Sequence, residues 1–248
     1  MQEKRILISG GTSGIGLAAA KLFLSAGAKV ALLGRSAQRG ETALQELGEN
    51  EQAIFVQGDV SRRADCQRVV QQVETLWGGL DVLVNSAGIY VEGAIEDMTE
   101  EQITAVLDIN VKGTYYLSQE AVPLLKQVKG NIVNVASDAG VHGNYYCSLY
   151  CASKGAVVLF TKALALELAG FGVRVNAIAP GDIMTPLTET QLAAAPNREE
   201  ALREMASVYP LGRIGTPQEA AAAIKFLASV EAGFITGTIL SVDGGLTA

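Results

Sequence analysis

The architecture of this chain is set by the stretch Ile6-Leu-Ile-Ser-Gly-Gly-Thr-Ser-Gly-Ile-Gly16 near its N-terminus. A short apolar run ends at Ser9, glycines stand at positions 10, 14 and 16, and a helical pattern of apolar residues starts at Leu17. Glycine lets the backbone turn tightly and approach a pyrophosphate closely, and the amides at a helix start attract negative charge. A glycine-rich turn alone is also common where a chain merely turns, but the strand–turn–helix context favours a phosphate site.

Short apolar runs alternate with longer helical patterns along the whole chain. We predict strands at residues 6–9, 29–33, 53–57, 82–85, 131–136, 174–179 and 238–242. Nearly continuous apolar runs are typical of strands covered on both faces, as in a parallel sheet. The capping box Thr99-Glu-Glu-Gln102 and the pair Thr216-Pro217 indicate helix starts. The alternation predicts one α/β domain over residues 1–248, with a doubly wound, seven-stranded parallel sheet and helices on both faces.

One segment breaks this rhythm. Between Pro180 and Pro210 the sequence is rich in proline, threonine and alanine, and only Arg198–Ser207 has a modest helical pattern. An insertion of this length in a compact domain is usually either functional or disordered. We predict that residues 181–210 form a lid over a substrate.

Composition excludes several classes of function. With 19 basic and 26 acidic residues the net charge is −7, which argues against a nucleic-acid partner because binding a phosphate backbone needs a basic face. The three cysteines form no CxxC pair and are expected to be free thiols, and the single His142 argues against a metal site and against a Ser-His-Asp triad. The N-terminus enters a strand without a signal-like apolar segment, and no apolar run reaches the ~18 residues that span a bilayer. We expect a soluble, cytoplasmic protein without a membrane partner.

The glycine spacing resembles the TGxxxGxG motif of the short-chain dehydrogenase/reductase family, with Ser9 where that family usually has threonine. The resemblance extends over essentially the whole chain, and Asn85-Ser-Ala-Gly88 is similar to the family's NNAG motif. It implies a Rossmann fold and a nicotinamide cofactor. The cofactor-binding residues that it implies are Gly10, Thr12, Ser13, Gly14, Ile15, Gly16, Asp59, Val60, Asn85, Ala87, Gly88, Tyr150, Lys154, Pro180, Gly181, Ile183 and Thr185.

The end of the second predicted strand indicates which cofactor is preferred. Gly34 stands where NAD-preferring relatives tend to carry aspartate, which binds the ribose hydroxyl and repels a 2′-phosphate. Arg35 follows, and its guanidinium suits a phosphate by charge and by geometry; Ser36 adds a hydroxyl donor. A solvated arginine after a strand is the plainer interpretation. The missing acid together with the added base favours NADP(H), with NAD(H) as the alternative.

Tyr150 and Lys154 stand four residues apart in a helical pattern and therefore share a face. A free tyrosine has a pKa of ~10, and a nearby ammonium is expected to lower it toward neutrality. Ser137 follows the predicted strand 131–136, where parallel sheets bind ligands, and its hydroxyl is suited to hold a carbonyl oxygen. Asn110 matches the family's helix asparagine, which holds a water for a proton relay. The resemblance thus implies that Asn110, Ser137, Tyr150 and Lys154 are catalytic and that a hydride passes between the cofactor and a carbonyl or alcohol.

The stretch 138–149, with His142 and Tyr145, is expected to line the substrate end beside Ser137, together with Tyr90, Val91 and the lid. Its aromatic residues suggest an apolar or cyclic ketone. By resemblance the alternative is a 3-oxoacyl-(acyl-carrier-protein) reductase. Lys129 fits an acidic carrier, but Phe171 and the negative net charge favour a free small molecule. A non-catalytic NADP-binding regulator is a weaker alternative, because such proteins are expected to have lost the tyrosine–lysine pair. A homotetramer is expected by resemblance, with helices at residues 156–168 and 220–227 as candidate contacts.

Overall fold

A parallel sheet of seven strands forms the centre of the computed structural model, which describes residues 1–248. The strand order is β3-β2-β1-β4-β5-β6-β7. The strands are β1 (Arg5–Ser9), β2 (Lys29–Gly34), β3 (Ala53–Gln57), β4 (Val82–Asn85), β5 (Asn131–Val135), β6 (Arg174–Pro180) and β7 (Ile239–Val242). All seven predicted strands are present, and each end lies within one residue of the prediction. The predicted doubly wound α/β class is therefore confirmed.

Nine α-helices cover the sheet. They are α1 (Gly14–Ser25), α2 (Ala37–Glu46), α3 (Arg63–Trp77), α4 (Glu100–Val106), α5 (Gly113–Val128), α6 (Ser148–Ala169), α7 (Pro186–Ala194), α8 (Arg198–Ser207) and α9 (Pro217–Ala228). On one face α1 and α2 pack over β1, β2 and β3 and α9 packs over β5, β6 and β7, and Phe23 and Ile224 are fully buried there. On the other face α3, α5 and α6 pack over the same sheet, with Leu117 and Leu168 fully buried. Each such side chain contributes about 1.5–3 kcal/mol by leaving water.

Helix α6 is long and apolar enough to cross a bilayer by length and composition, which differs from the expectation that no segment reaches that length. Its inner face is nevertheless packed in the protein: Val157, Val158 and Leu168 are buried, and so is the charged Lys154. The helix contacts β6 along its length. Helix α6 is therefore part of one of the two helical layers that cover the sheet.

Helix-start chemistry explains several element boundaries. The predicted capping boxes at Thr99 and Thr216 are both formed, with the N3 side chain bonded back to the cap residue in each. Helix α8 spans the predicted Arg198–Ser207. Helix α7 was not predicted, although Thr185-Pro186 repeats the hydroxyl-then-proline signal that identified the start of α9.

The winding of the chain reverses beside β1. This strand pairs with β2 on one side and with β4 on the other, so that Ser9 lies next to Asn85. In doubly wound sheets the crevice beyond the carboxyl ends of such strands is where ligands bind. The topology therefore places a ligand site beyond Ser9 and Asn85.

Candidate active site

The glycine turn between β1 and α1 forms one wall of a cleft at this end of the sheet. Gly10 and Gly14 have φ angles of +65° and +52°, and a Cβ atom on Gly10 would lie 2.9 Å from the main chain of Ala87. Ser13 precedes α1 but makes no side-chain hydrogen bond to the first-turn amides. Those amides are therefore available to an anion. The turn fits the pyrophosphate of a dinucleotide.

The cleft has a volume of about 500 Å³ and extends from this turn to the tyrosine and lysine of α6. Most of the predicted cofactor residues line it: Gly10, Ser13, Gly14, Ile15, Ala87, Gly88, Tyr150, Lys154, Pro180, Gly181, Ile183 and Thr185. Others lie outside its lining: Thr12, Gly16, Arg35, Ser36, Asp59, Val60 and Asn85. The predicted cofactor set thus divides between this cleft and its surroundings.

Arg35 and Asp59 line a second groove, of about 480 Å³, beyond β2 and β3. The Arg35 side chain is exposed, and none of the ion pairs in the chain includes its guanidinium. The Ser36 hydroxyl caps α2 by accepting from the amide of Arg39 at 3.3 Å. A Cβ atom on Gly34 would lie 3.0 Å from the Thr12 methyl, so packing also favours glycine there. The unpaired guanidinium is the feature of this groove that suits a phosphate.

Asn85 faces a buried polar network and not the cleft. Its Nδ2 donates to Ser118 Oγ at 3.0 Å and to Asn134 Oδ1 at 2.8 Å, and Asn134 in turn donates to Thr161 at 2.8 Å. This network ties β4 and β5 to the helices α5 and α6. Any contact of Asn85 with a cofactor therefore falls to its main chain.

Ser137, Tyr150 and Lys154 converge on the inner end of the cleft. Ser137 follows β5, while the other two side chains project from the first turns of α6. The Lys154 ammonium lies 5.7 Å from the centroid of the Tyr150 ring and donates to the Val135 carbonyl at 2.9 Å. The Ser137 hydroxyl donates to Asp138 Oδ1 at 2.7 Å and accepts from the amide of Ala139. A hydroxyl, a phenol and an ammonium thus face one small volume.

Asn110 lies in a single π-helical segment, Leu107–Lys112, between α4 and α5. Its Oδ1 accepts from the amide of Ile89, and its Nδ2 donates to the Ile89 carbonyl and to Ser153 Oγ. A Cβ atom on Gly88 would lie 3.4 Å from both Asn110 Oδ1 and Lys154 Nζ. The widened turn turns the asparagine inward and brings it close to the lysine.

Burial dominates the ionisation of this pair. Burial raises the pKa of Tyr150 above its ordinary value, contact with the Ser137 hydroxyl lowers it, and the negative charge of Asp138 raises it further. Burial lowers the pKa of Lys154 to about 8. The expectation that Lys154 lowers the pKa of Tyr150 is therefore wrong for this geometry, because removal from water outweighs an ammonium that is directed at a carbonyl.

The substrate end of the cleft is lined by polar and aromatic residues. His142 Nε2 lies 3.2 Å from Asp138 Oδ2, and Tyr145, which is 95% exposed, stands at the mouth; both line the cleft as predicted. Tyr90 lines the cleft as predicted, whereas Val91 lies outside the lining. The Tyr90 ring packs edge-on against that of Tyr150, with centroids 5.0 Å apart.

Several lining residues were not identified as site residues from the sequence: Ser86, Ile89, Val135, Ala136 and Leu246. Ser86 stands within the motif at residues 85–88, so its position was a usable signal. Asp138, Ala139 and Asn144 lie in the stretch 138–149 that was expected to line the pocket, and Asp182, Leu187, Gln191, Val208 and Tyr209 lie in the predicted lid. Nothing in the sequence indicated that the Tyr209 hydroxyl accepts from the amide of Asp182, 27 residues away. The predicted lid segment 181–210 supplies one wall of the cleft.

Comparison with known proteins finds relatives over the whole chain. A family model described as enoyl-(acyl carrier protein) reductase matches residues 10–247. An L-fucose dehydrogenase of Bos taurus is 40% identical over 243 residues, which cover 98% of this chain and 88% of that protein. A 3-oxoacyl-(acyl-carrier-protein) reductase of Thermotoga maritima is 41% identical over 251 residues, which cover 99% and 98%.

A solved structure of similar shape is that of ElxO with NADP bound. It superimposes with a TM-score of 0.92 at 33% sequence identity and covers 99% of both chains. Sequence and structure comparisons therefore identify the same group of relatives.

Proposed function

This chain belongs to the short-chain dehydrogenase/reductase family of oxidoreductases, and on that premise we propose that it interconverts a ketone and a secondary alcohol with NADP(H), with Tyr150 as the proton donor. The convergence of Ser137, Tyr150 and Lys154 beside the glycine turn is the observation that carries the proposal. A nicotinamide cofactor supplies or accepts the hydride when it is bound. The residues of the chain hold the substrate oxygen and move its proton.

In the reducing direction Tyr150 gives its proton to the carbonyl oxygen as negative charge develops there. The Ser137 hydroxyl, which now donates to Asp138, turns toward that oxygen and orients it. In the reaction the Lys154 ammonium turns from the Val135 carbonyl toward the Tyr150 ring, 5.7 Å away, and there it stabilises the phenolate that remains. Asn110 has one unused lone pair on Oδ1, which can hold a relay water close to Lys154.

NADP(H) is the cofactor that the groove beyond β2 favours. Arg35 offers an unpaired guanidinium that would hold a 2′-phosphate at the end of β2, and no acidic residue opposes it at Gly34. The related ElxO structure contains NADP. NAD(H) is the alternative, because close packing by itself accounts for the glycine at position 34.

A free small-molecule carbonyl is the substrate that we favour. One observation supports the second candidate, a carrier-bound 3-oxoacyl chain: Lys126 Nζ lies 3.7 Å above the Phe171 ring, and Lys129 packs against Gly172. Two lysines make a small basic patch on a chain of net charge −7, which is weak attraction for an acidic carrier. Comparing NADPH oxidation with a 3-oxoacyl thioester and with free ketones distinguishes the candidates, and turnover of either excludes a purely regulatory role.

Replacing Tyr150 by phenylalanine tests the proposal directly. The ring and its packing against Tyr90 remain, but the proton donor is lost, so we expect kcat to fall by about 10²–10⁴-fold. NADPH binding, measured by fluorescence, stays within about twofold. Tyr115→Phe, at a half-exposed tyrosine of α5, is the matched control and retains full activity. Residual activity of Tyr150→Phe near that of the wild type contradicts the assignment.

A further inference from the structure

Two carboxylates line the substrate end of the cleft next to Tyr150. Asp138 is fixed by three donors: Ser137 Oγ at 2.7 Å, His142 Nε2 at 3.2 Å and Asn144 Nδ2 at 3.4 Å. Both residues line the cleft that contains Tyr150, and their negative charge raises the pKa of its phenol. These acids are therefore part of the reaction site and not of a distant surface.

Asp182 has fewer partners than Asp138: its carboxylate is hydrogen-bonded to the Tyr209 hydroxyl alone. Its amide donates to the Tyr209 hydroxyl at 2.7 Å, which fixes the backbone, but its carboxylate takes part in none of the ion pairs of the chain. The residue lines the cleft and is only partly exposed. Its carboxylate therefore has hydrogen-bond acceptors to offer to a ligand.

Donors stand beside these acceptors. The amides of Asn144 and Gln191 and the ring of His142 all line the same end of the cleft. The other basic side chain of the lining is Lys154, whose ammonium is directed at Val135 and belongs to the reaction centre. The substrate end thus combines acceptors and neutral donors, with two acids and no arginine.

We infer that this end of the cleft binds an uncharged, polyhydroxylated carbonyl compound, a free sugar or its polyol, with Asp182 and Asp138 accepting hydrogen bonds from its hydroxyl groups. The inference rests on the proposed oxidoreductase function and narrows its substrate class. In the oxidising direction the carbinol carbon loses its hydride to NADP⁺, which is reduced. The hydroxyl proton passes to the Tyr150 phenolate and then to solvent, and the carbon–oxygen double bond forms.

The alternatives fit the same residues less well. A substrate that carries a carboxylate or a phosphate meets two like charges, which select against it. An apolar chain removes water from Asp182 and Gln191 and leaves their free polar atoms without partners, and a site built to bond hydroxyl groups rejects such analogues. A hydroxyl group both donates and accepts, so a sugar satisfies carboxylates and amides together.

The first test compares substrates with the wild-type chain. We expect kcat/KM with NADP⁺ for the best of a panel of free aldohexoses and 6-deoxyhexoses to exceed that for cyclohexanol, a sugar 6-phosphate and an amino alcohol by at least about tenfold. Equal or better turnover of cyclohexanol, the phosphate or the amine overturns the inference but leaves the proposed function standing. Absence of NADP(H)-linked turnover with every alcohol and ketone overturns both.

The second test uses Asp182. Asp182→Leu keeps the branched outline of the side chain but replaces the carboxylate oxygens by two larger methyl groups, so we expect KM for the preferred sugar to rise at least about tenfold while kcat/KM for cyclohexanol does not fall. Asp182→Asn removes the charge and replaces one acceptor oxygen by a donor amide, and relative activity on the sugar phosphate should rise. Asp97→Asn, an exposed aspartate outside the cleft, is the matched control. Unchanged sugar KM in Asp182→Leu, in a variant with wild-type melting temperature, overturns the assignment.

Discussion

At the scale of single residues, Lys154 shows how the site departs from the rules that govern the rest of the core. Only 5% of its surface is exposed, and its ammonium has one protein hydrogen bond, to the Val135 carbonyl. Burial lowers its pKa from 10.5 to about 8. A charge held this way opposes folding, because the unfolded chain keeps the ammonium in water.

Lys154→Met should therefore stabilise the protein while abolishing its activity. The lowered pKa of about 8 corresponds to a charge penalty of about 3 kcal/mol at neutral pH, which the substitution removes. The substitution also breaks the hydrogen bond of the ammonium, which costs about 1 kcal/mol. We expect the free energy of unfolding to rise by roughly 1–3 kcal/mol at pH 7.

The stability that Lys154→Met gains over the wild type depends on pH. The folded chain loses this proton near pH 8 and the unfolded chain near its ordinary value, so the wild-type penalty is full below pH 8 and disappears as the pH rises toward 10.5. Urea unfolding at pH 7 and 9.5 should show the advantage of Lys154→Met shrinking. Lys162→Met, an exposed lysine on the same helix, is the control. A difference in the free energy of unfolding between Lys154→Met and the wild type that stays constant with pH contradicts the explanation.

Arg35 determines cofactor preference in the proposed function. Arg35→Asp replaces an unpaired guanidinium by a carboxylate that repels a 2′-phosphate and can bind a ribose hydroxyl. We expect the ratio of kcat/KM for NADPH to that for NADH to fall by at least about tenfold, or about 1.4 kcal/mol. Arg203→Asp, an exposed arginine of α8, should leave the ratio unchanged. An unchanged ratio in Arg35→Asp would place the phosphate elsewhere.

At the scale of elements, helix ends are the most local features of the fold. Thr216 caps α9 by accepting from the amide of Glu219 at 3.3 Å, and the Glu219 side chain bonds back to the Thr216 amide at 2.9 Å. Helix α9 carries the buried Ala221 and Ile224 into the core beside α1. Its start is therefore coupled to the packing of a whole face of the sheet.

Thr216→Ala should lower the free energy of unfolding by about 1 kcal/mol, because the first-turn amide loses its acceptor in the folded state. The urea midpoint should fall with an unchanged m-value. Thr42→Ala is the matched control, since Thr42 bonds only to the Gln38 carbonyl within α2 and alanine has the higher helix propensity. Equal effects of the two changes would show that the cap does not stabilise α9.

At the scale of the whole molecule, α9 and α6 differ in what they leave exposed. The residues of α9 that face α1 are buried in the core, and Phe226 is the large apolar side chain that this helix leaves exposed. The expected role of α9 as a subunit contact stays a prediction. Helix α6 instead exposes Leu159 by 69% and Leu166 by 83%. The two leucines are seven residues apart and lie on one outer face. Exposed apolar patches of this kind mark contact surfaces.

We expect a homotetramer with the outer face of α6 in a subunit contact. Sedimentation velocity should give a species about four times the mass of the chain, in keeping with closed symmetry. The double variant Leu159→Glu/Leu166→Glu should sediment as smaller species. Leu76→Glu on α3, which also carries a half-exposed leucine, should leave the assembly intact. A wild-type chain that is monomeric at micromolar concentration contradicts the expectation.

The sequence by itself determined the strands, the order of strand and helix, and the turn that follows β1. These features depend on local chemistry: apolar runs, glycine at positions 10 and 14, and hydroxyl caps before the helices. The spacing of Tyr150 and Lys154 also determined that they share a helix face, since that is a property of one helix. Because such signals lie within a few residues of each other, they are readable without coordinates.

The tertiary structure alone decided the pKa values and the hydrogen-bond partners of the site residues. Burial raises the pKa of Tyr150 and lowers that of Lys154, and burial is a sum over distant segments that no local pattern encodes. Asn85 enters a network with Ser118 and Asn134, and Tyr209 reaches Asp182, through contacts between residues far apart in the chain. Local chemistry therefore chose the elements, whereas the packing of those elements against each other decided the charges and the shape of the cleft.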